Sequence, residues 1–426
     1  MNLLVLGAAI SGRAAARLGR RLGHRVTVYD RDVEAAGALG AEGFVVHGGD
    51  WKTELLGDVD AVVTSPGIAP AAAPIRDVLE AGVVLWSEME FASRHLSIPY
   101  VAVTGTNGKT TVTATTAEML RVGGVDAIAA GNIGTALSDV VGTAHDAVVV
   151  EASSFQLTFI ERFRPLGAAI LNVAPDHLDW HGGFEHYAAA KARIFENQRR
   201  DDFVVFDSDD PGAVRAVAAA PSRRTALSGR RRPADGNGPE GEWLMVDDRR
   251  YPLPTLDAAY LLDVTAAATL AGRLGASAEA VATVLARFMP GSHRRTVVKR
   301  HRGVTWIDDS KATNPHAAAT SAGSYPSVVL IAGGRNKGLD LSPITEVAGV
   351  RAIVAIGEAK SELRALTDAS RYHEAESMEE AVKIASEVSR AGDVVLLAPG
   401  CASFDMYDDY GARGDDFAAL VSEMGR

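Results

Sequence analysis

The chain has one cysteine, Cys401, in 426 residues. That rules out an internal disulfide framework and fits a reducing compartment. Basic charge is also short: 43 Lys and Arg stand against 54 Asp and Glu, a formal net charge of −11. General nucleic-acid binding needs clustered basic charge and is disfavoured, although a local anion pocket is not. No apolar run approaches the ~20 residues a membrane-spanning helix needs. The opening residues MNLLVLGAAISG are apolar, but they lack a positive leading segment and break at Gly7. No targeting signal is read there, and a cytoplasmic enzyme is expected. No internal repeat with a period of roughly 20–50 residues occurs, which argues against a solenoid.

What is present is ordinary globular material, 47% hydrophobic and 23% charged. At roughly 150 residues per domain, the length allows two to three domains. A short aliphatic run ending in glycine occurs at Leu3–Gly7, again at Tyr100–Gly105, and again at Val328–Gly334. Between these runs, apolar segments alternate with Ala-rich helical stretches, the pattern of βαβ units and parallel sheets. Domains are therefore expected over 1–93, 94–290 and 291–426. Residues 229–242 (GRRRPADGNGPEGE) read as an exposed loop. Trp243–Val246, Asp247-Asp248 and a short strand near Tyr251 read as a hairpin.

The sharpest chemical signal is Gly105-Thr106-Asn107-Gly108-Lys109-Thr110-Thr111, between a strand and the helical stretch 112–121. Such a turn aims backbone N–H groups and a helix N-terminus at phosphates. Lys109 would reach the terminal phosphates and Thr110 a Mg²⁺ ion. Val103 stands where the general pattern has glycine, so this is a variant phosphate loop. The apolar strand Ala147–Glu151 ends in a carboxylate suited to the same metal. The strand 168–173 leads into Asp176-His177 at what should be a sheet's ligand-binding edge. Imidazole is an uncommon Mg²⁺ ligand, so Mn²⁺ is expected to substitute well.

Phe184, Tyr187, Ala188, Lys191 and Phe195 fall on one face of a helix. Lys191 therefore stands on a core-facing stripe. Two readings stay open. Either its stem packs and its amine snorkels to water, or the amine is desolvated, easily neutralised, and able to take up CO₂ as a carbamate. Near the N-terminus, Gly7 and Gly12 fit a dinucleotide fingerprint except for Ala9 at the middle glycine, with Asp30 ending the next strand. A nucleotide-like ligand is expected there rather than a redox cofactor. Downstream, Asp308 to Pro315 follows the strand 304–307. Its polar density suits ligand contact, and an Asn-Pro turn with a helix cap is the plain alternative. Arg294 could swing onto a nucleotide phosphate.

Taken together, GTNGKTT, EASSFQL, NVAPDHLDWH, AAAKARIFEN, GSHR, DDSKATNP and AGGRNKG resemble motifs of the Mur ligase family, in family order. The stretch from Ala398 to Gly414 most resembles the members that add D-glutamate. The resemblance implies an α/β protein of three domains: a Rossmann-like N-terminal domain, a central P-loop ATPase-like parallel-sheet domain and a C-terminal Rossmann-like domain. It implies ATP-dependent ligation of D-glutamate to UDP-N-acetylmuramoyl-L-alanine through an acyl phosphate, with two Mg²⁺ sites. Other amino-acid ligases of the superfamily, including folylpolyglutamate synthase, are the runner-up. The implied partners are these small molecules only, with no nucleic acid and no membrane, and the protein is expected to be a monomer.

The resemblance also assigns residues. Lys109, His177, Lys191 and Lys311 would be catalytic. Gly105 to Thr111, Arg294 and Asp309 would bind ATP. Thr110, Glu151, His177 and a carbamylated Lys191 would hold metal. Ser11, Asp30, Arg31, Ser65 and Gly67 would line the uridine site, and Asn132 and Ser153 would contact substrate. Lys337, Ser403 and Tyr410 would hold D-glutamate. Tyr410 replaces the usual Phe, and Ala8 and Ala9 depart from a Gly-rich loop.

Overall fold

The computed structural model describes residues 1–424. Strands β1 (Asn2–Leu6), β2 (Arg25–Asp30), β3 (Val45–Gly48), β4 (Ala61–Thr64) and β5 (Val84–Ser87) form a parallel sheet in the order β3-β2-β1-β4-β5. The chain doubles back in space between β1 and β4, the switch point at which open α/β sheets bind ligands.

The second sheet holds β6 (Tyr100–Thr104), β7 (Ala127–Gly131), β8 (Ala147–Glu151), β9 (Gly167–Ile170), β10 (Phe203–Asp207), β11 (Arg223–Leu227), β12 (Gly236–Glu240), β13 (Trp243–Val246) and β14 (Arg249–Pro252). Its order is β14-β13-β12-β11-β10-β9-β6-β8-β7. All pairs from β7 to β12 are parallel; β13 and β14 add an antiparallel edge. β6, β8 and β9 are buried along nearly their whole length. Helices cover both faces of such a sheet, which is why these strands read as unbroken apolar runs.

The third sheet holds β15 (Thr296–His301), β16 (Val304–Asp308), β17 (Val328–Gly333), β18 (Val350–Ile356), β19 (Tyr372–Glu374) and β20 (Val394–Gly400). Its order is β15-β16-β20-β17-β18-β19, parallel except at β15. The first two sheets and their helices make one compact unit, Met1–Val173 with Trp180–Phe288. The third sheet and the segment Ala174–Asp179 make the other, from Met289 onward.

The hairpin at 243–252 forms as its pattern predicts, with Asp247 taking a left-handed φ of 50° in the turn. Three expectations need correction. The presumed loop 229–242 contains β12, whose first four residues are buried. Its glycines admit close backbone approach: a Cβ on Gly236 would lie 2.2 Å from the Ala226 carbonyl oxygen. Asn237 is anchored from Nδ2 to Thr269 Oγ1 at 2.9 Å. Turn-forming residues here serve sheet packing instead. The face from Phe184 to Phe195 packs into the core as expected, but it is not one α-helix: Phe184–Ala192 tightens into a 3₁₀ turn, Arg193–Phe195, before its last member. The strand expected over 168–173 ends at Ile170, where the backbone turns so that Asn172 backs the turn Gly105–Gly108.

Candidate active site

β6 delivers the chain into the turn Gly105–Gly108, and the helix Lys109–Val122 starts directly after it. Gly108 has φ +86°, and a Cβ there would sit 2.5 Å from Asp263 Oδ1, so the position requires glycine. Asn172 backs the turn. It accepts the Thr106 N–H at its carbonyl (2.9 Å) and the Asn107 N–H at Oδ1 (2.8 Å). Lys109 folds over the turn, its Nζ donating to the Gly105 and Thr106 carbonyls at 2.8 and 3.0 Å. Thr110 is half-buried and Thr111 is buried on the same first helical turn.

Glu151 ends β8 in register with Val103 of β6, one strand over from the turn. It is 2% exposed. Its Oε1 accepts Asn132 Nδ2 at 2.9 Å, and the Asn132 N–H donates to its carbonyl at 2.8 Å. Its Oε2 is buried with no hydrogen-bond partner among the described residues. An orphaned buried carboxylate oxygen is costly, and a hard cation would satisfy it. The residues present therefore fit Mg²⁺. Among the described residues no three His, Cys, Asp or Glu side chains cluster as a ready-made metal cage. Mg²⁺ shared with substrate phosphates does not need one. Ser153 caps the short helix Ser154–Thr158 in a reciprocal box with Gln156.

Lys191 is 1% exposed. Its amine does not snorkel: Nζ donates to the Gly105 carbonyl at 2.7 Å and lies 4.6 Å from the centre of the Tyr187 ring. Lys109 and Lys191 thus converge on one carbonyl oxygen of the Gly105–Gly108 turn. The Tyr187 hydroxyl in turn meets Thr106 Oγ1 at 2.9 Å.

At the switch point of the first sheet, a cavity of about 700 Å³ is lined by Gly7, Ser11, Asp30, Arg31, Ser65 and Gly67, among others. All five proposed uridine-site residues thus meet in one place. Gly7 and Gly12 cannot be larger: a Cβ would come within 2.5 Å of Ser65 Oγ or 1.8 Å of the Gly7 oxygen. Ala9 has no such restriction and is exposed. The Asp30 carboxylate is already engaged, accepting the Ala8 N–H at 2.6 Å and the Asp32 N–H at 2.9 Å.

In the other unit, Asp309 is buried, and burial raises its pKa against the opposing pull of Arg295 and Arg294. Lys311 Nζ stands 3.7 Å over the Tyr410 ring, so Tyr410 faces a cation as a phenylalanine also could. Lys337 pairs with Asp176 at 3.3 Å. His177 follows with a left-handed φ of 51°, its Nε2 3.6 Å from Asp176 Oδ2. Ser403 is buried and its carbonyl accepts the Met406 and Tyr407 N–H groups. Asn314 caps the helix Pro315–Ala322, the plain alternative for that turn.

Several residues escaped sequence reasoning. Asn172 opens a motif already noted and Tyr187 lies on the helical face already noted, but neither was read as a site residue. Asp263 was legible as the lone charge within the apolar helix Ala258–Arg273 before its final arginine. Arg413 has no such signal. It is buried, donates to Ser310 Oγ and O (3.0 Å each) and to the Cys401 carbonyl (3.3 Å), and burial pushes its pKa to about 10.

Comparison with known proteins matches the chain to three family models: the Mur ligase MurD-like N-terminal domain over residues 1–87, the Mur ligase middle domain over 103–238, and the Mur ligase glutamate ligase domain over 293–401. Proteins named UDP-N-acetylmuramoylalanine–D-glutamate ligase are 43% identical in Frankia casuarinae (99% of this chain, 94% of that protein) and 39% identical in Salinibacter ruber (99% and 97%). Among solved structures, MurF from Acinetobacter baumannii superposes with a TM-score of 0.62 at 16% identity (98% and 93% covered). A pseudomurein peptide ligase type C from Methanothermus fervidus gives 0.61 at 16% (99% and 100%). These two show the shared fold. Matched along nearly its whole length by relatives well above 30% identity, the chain belongs to the Mur ligase family.

Proposed function

We propose that the protein is an ATP-dependent ligase that joins D-glutamate to UDP-N-acetylmuramoyl-L-alanine in cytoplasmic peptidoglycan precursor synthesis. The observation that carries this is the near-full-length likeness to proteins named for that reaction. The phosphate turn with its paired lysines supports it.

The chemistry runs in two transfers. A carboxylate oxygen of the alanyl end attacks the γ-phosphorus of ATP, and ADP leaves. The deprotonated D-glutamate amine then attacks the acyl carbon of the acyl phosphate, and inorganic phosphate leaves as the amide forms. Two anions must meet in the first transfer, so positive potential has to be in place beforehand. Lys109 exchanges its loop carbonyls for phosphate oxygens in this reading. The turn's N–H groups and the helix N-terminus bind the rest. Mg²⁺, which Mn²⁺ could replace, supplies further charge neutralisation. Thr110, Glu151, His177 and a carbamylated Lys191 would hold it. The carbamate turns a buried amine into an anion of the hard-oxygen type such cations prefer.

The cavity at the first switch point takes the uridine end. Arg294, Asp309 and Lys311 contact the nucleotide, and Lys337, Ser403 and Tyr410 hold D-glutamate. Domains over 1–93, 94–290 and 291–426 and a monomeric state complete the proposal.

The test is phosphate release across a panel of acceptors and amino acids. Release should require ATP, UDP-N-acetylmuramoyl-L-alanine and D-glutamate together, with L-glutamate inert. Equal use of both enantiomers, or a preference for another acceptor, would break the assignment.

A further inference from the structure

The residues between Gly131 and Val140 connect the strand edge to the carboxylate proposed to hold metal. Asn132 grips Glu151 twice, through its backbone N–H at 2.8 Å and its amide at 2.9 Å. Yet Asn132 is exposed and lies between two left-handed glycines, Gly131 (φ +100°) and Gly134 (φ +53°). A loop tip of that composition does not hold a side chain still by itself. It is closed at its base by the Ala130–Thr135 bridge, with the Gly131 N–H donating to the Thr135 carbonyl at 2.8 Å, and then enters the buried residues Ala136, Leu137 and Ser138.

Ser138 is where the loop is fastened. Both polar groups of its backbone are taken from elsewhere in the chain. Its N–H donates to Glu88 Oε1 at 2.6 Å, and its carbonyl accepts Arg21 Nη2 at 3.0 Å. Glu88 is 1% exposed and opens the helix Glu88–Ser93, directly after β5 of the first sheet. Arg21 ends the helix Ile10–Arg21, whose first turn begins at the uridine-side cavity. Placing a carboxyl group in the core is expensive, and nothing in the reaction above uses this one.

We infer that Glu88, with Arg21, clamps the Ser138 peptide and thereby holds Asn132 against Glu151, which makes Glu88 a positioning residue for the metal-side carboxylate. The inference rests on Glu151 being a metal ligand, as proposed above. A group hydrogen-bonded to a metal ligand, as Asn132 is to Glu151, typically matters about 10- to 100-fold in metal affinity, and Glu88 acts through it at the lower end of that range. The short contact to a backbone N–H needs only an acceptor oxygen at that reach. Glutamine supplies it, whereas aspartate is one methylene too short and alanine has none.

The test counts bound Mn²⁺ by electron paramagnetic resonance on the full-length protein with saturating ADP, beside thermal melts. Glu88→Ala and Glu88→Asp should weaken Mn²⁺ binding about tenfold, while Glu88→Gln stays within about twofold of the parent. Binding of the UDP-linked substrate should be unchanged in all three. Should Glu88→Ala fail to fold, the Asp and Gln pair carries the comparison alone. Unchanged Mn²⁺ binding in Glu88→Asp, or equal weakening in Glu88→Gln and Glu88→Asp, overturns the inference. Glu151→Ala separates the two levels. If it still binds Mn²⁺ normally, the metal reading itself has failed. If it loses Mn²⁺ while Glu88→Asp binds like the parent, only the role of Glu88 is removed.

Discussion

At the scale of single residues, the two lysines of the phosphate turn differ in what surrounds them. Lys109 reaches the turn from the half-buried helix start, while Lys191, itself buried, reaches the same carbonyl from another helix. Lys109→Ala should leave the fold intact and lower kcat by about 10²–10³ or more, because it removes a pre-placed charge from the transferring phosphoryl group. Phosphate release at the parent rate from a folded variant would take this lysine out of the mechanism. Lys191→Ala should lose most activity yet still bind the uridine substrate. Added formate or acetate should restore part of it by occupying the vacated anion position. Lys191→Arg should stay inactive, since guanidinium keeps its charge and cannot become a carbamate. Activity in the arginine variant would return Lys191 to a packing role.

At the scale of elements, the turn between β6 and its helix depends on a conformation only glycine adopts. Gly108→Ala places a methyl group 2.5 Å from Asp263 Oδ1 at a positive φ. It should destabilise by about 1–2 kcal/mol from the left-handed backbone alone and abolish nucleotide binding, read by a lost thermal shift with ATP. The helix opening at Glu88 carries a pH signature. Burial pushes the Glu88 carboxyl up to about 7, with Asp139 adding to the rise and the Ser138 hydrogen bonds opposing it. A carboxyl raised above its unfolded value favours the protonated fold. Its stabilising contribution is complete below about pH 4.5 and is lost as pH rises through about 7. Glu88→Gln cannot ionise, so it should gain on the parent between pH 5 and pH 8, by up to about 3 kcal/mol. Urea midpoints that shift in parallel for both proteins would contradict this. Element boundaries were the weakest part of the sequence reading. Gly236-Asn237-Gly238-Pro239 has loop composition, yet it forms a buried strand because its neighbours leave room only for glycine.

At the scale of the whole molecule, three aliphatic runs ending in glycine and the strand–helix alternation between them were enough to expect an α/β protein with parallel sheets, and three largely parallel sheets are present. Substrate discrimination belongs to this scale, since each proposed ligand is handled by a different part of the chain. Ser403→Ala should raise KM for D-glutamate several-fold while leaving KM for ATP within about twofold, as it takes a hydrogen bond from one substrate only. A rise in both constants together would instead mark Ser403, buried beneath the turn that binds Met406 and Tyr407, as a folding residue.

The linear pattern alone determined what depends on neighbours in the chain. A glycine-rich turn after an apolar strand, a carboxylate at a strand end and a lysine on an apolar helical face are all local periodicities, and each is legible without contacts. Tertiary structure decided what depends on residues far apart. It brought Glu88, Arg21 and Ser138 onto one peptide, set Asp263 against Gly108, and buried Arg413 among Ser310 and Cys401. It also resolved Lys191, whose spacing allowed either an amine in water or an amine in the core. Periodicity says which way a side chain points. Whether water waits at its end is a property of what has packed there.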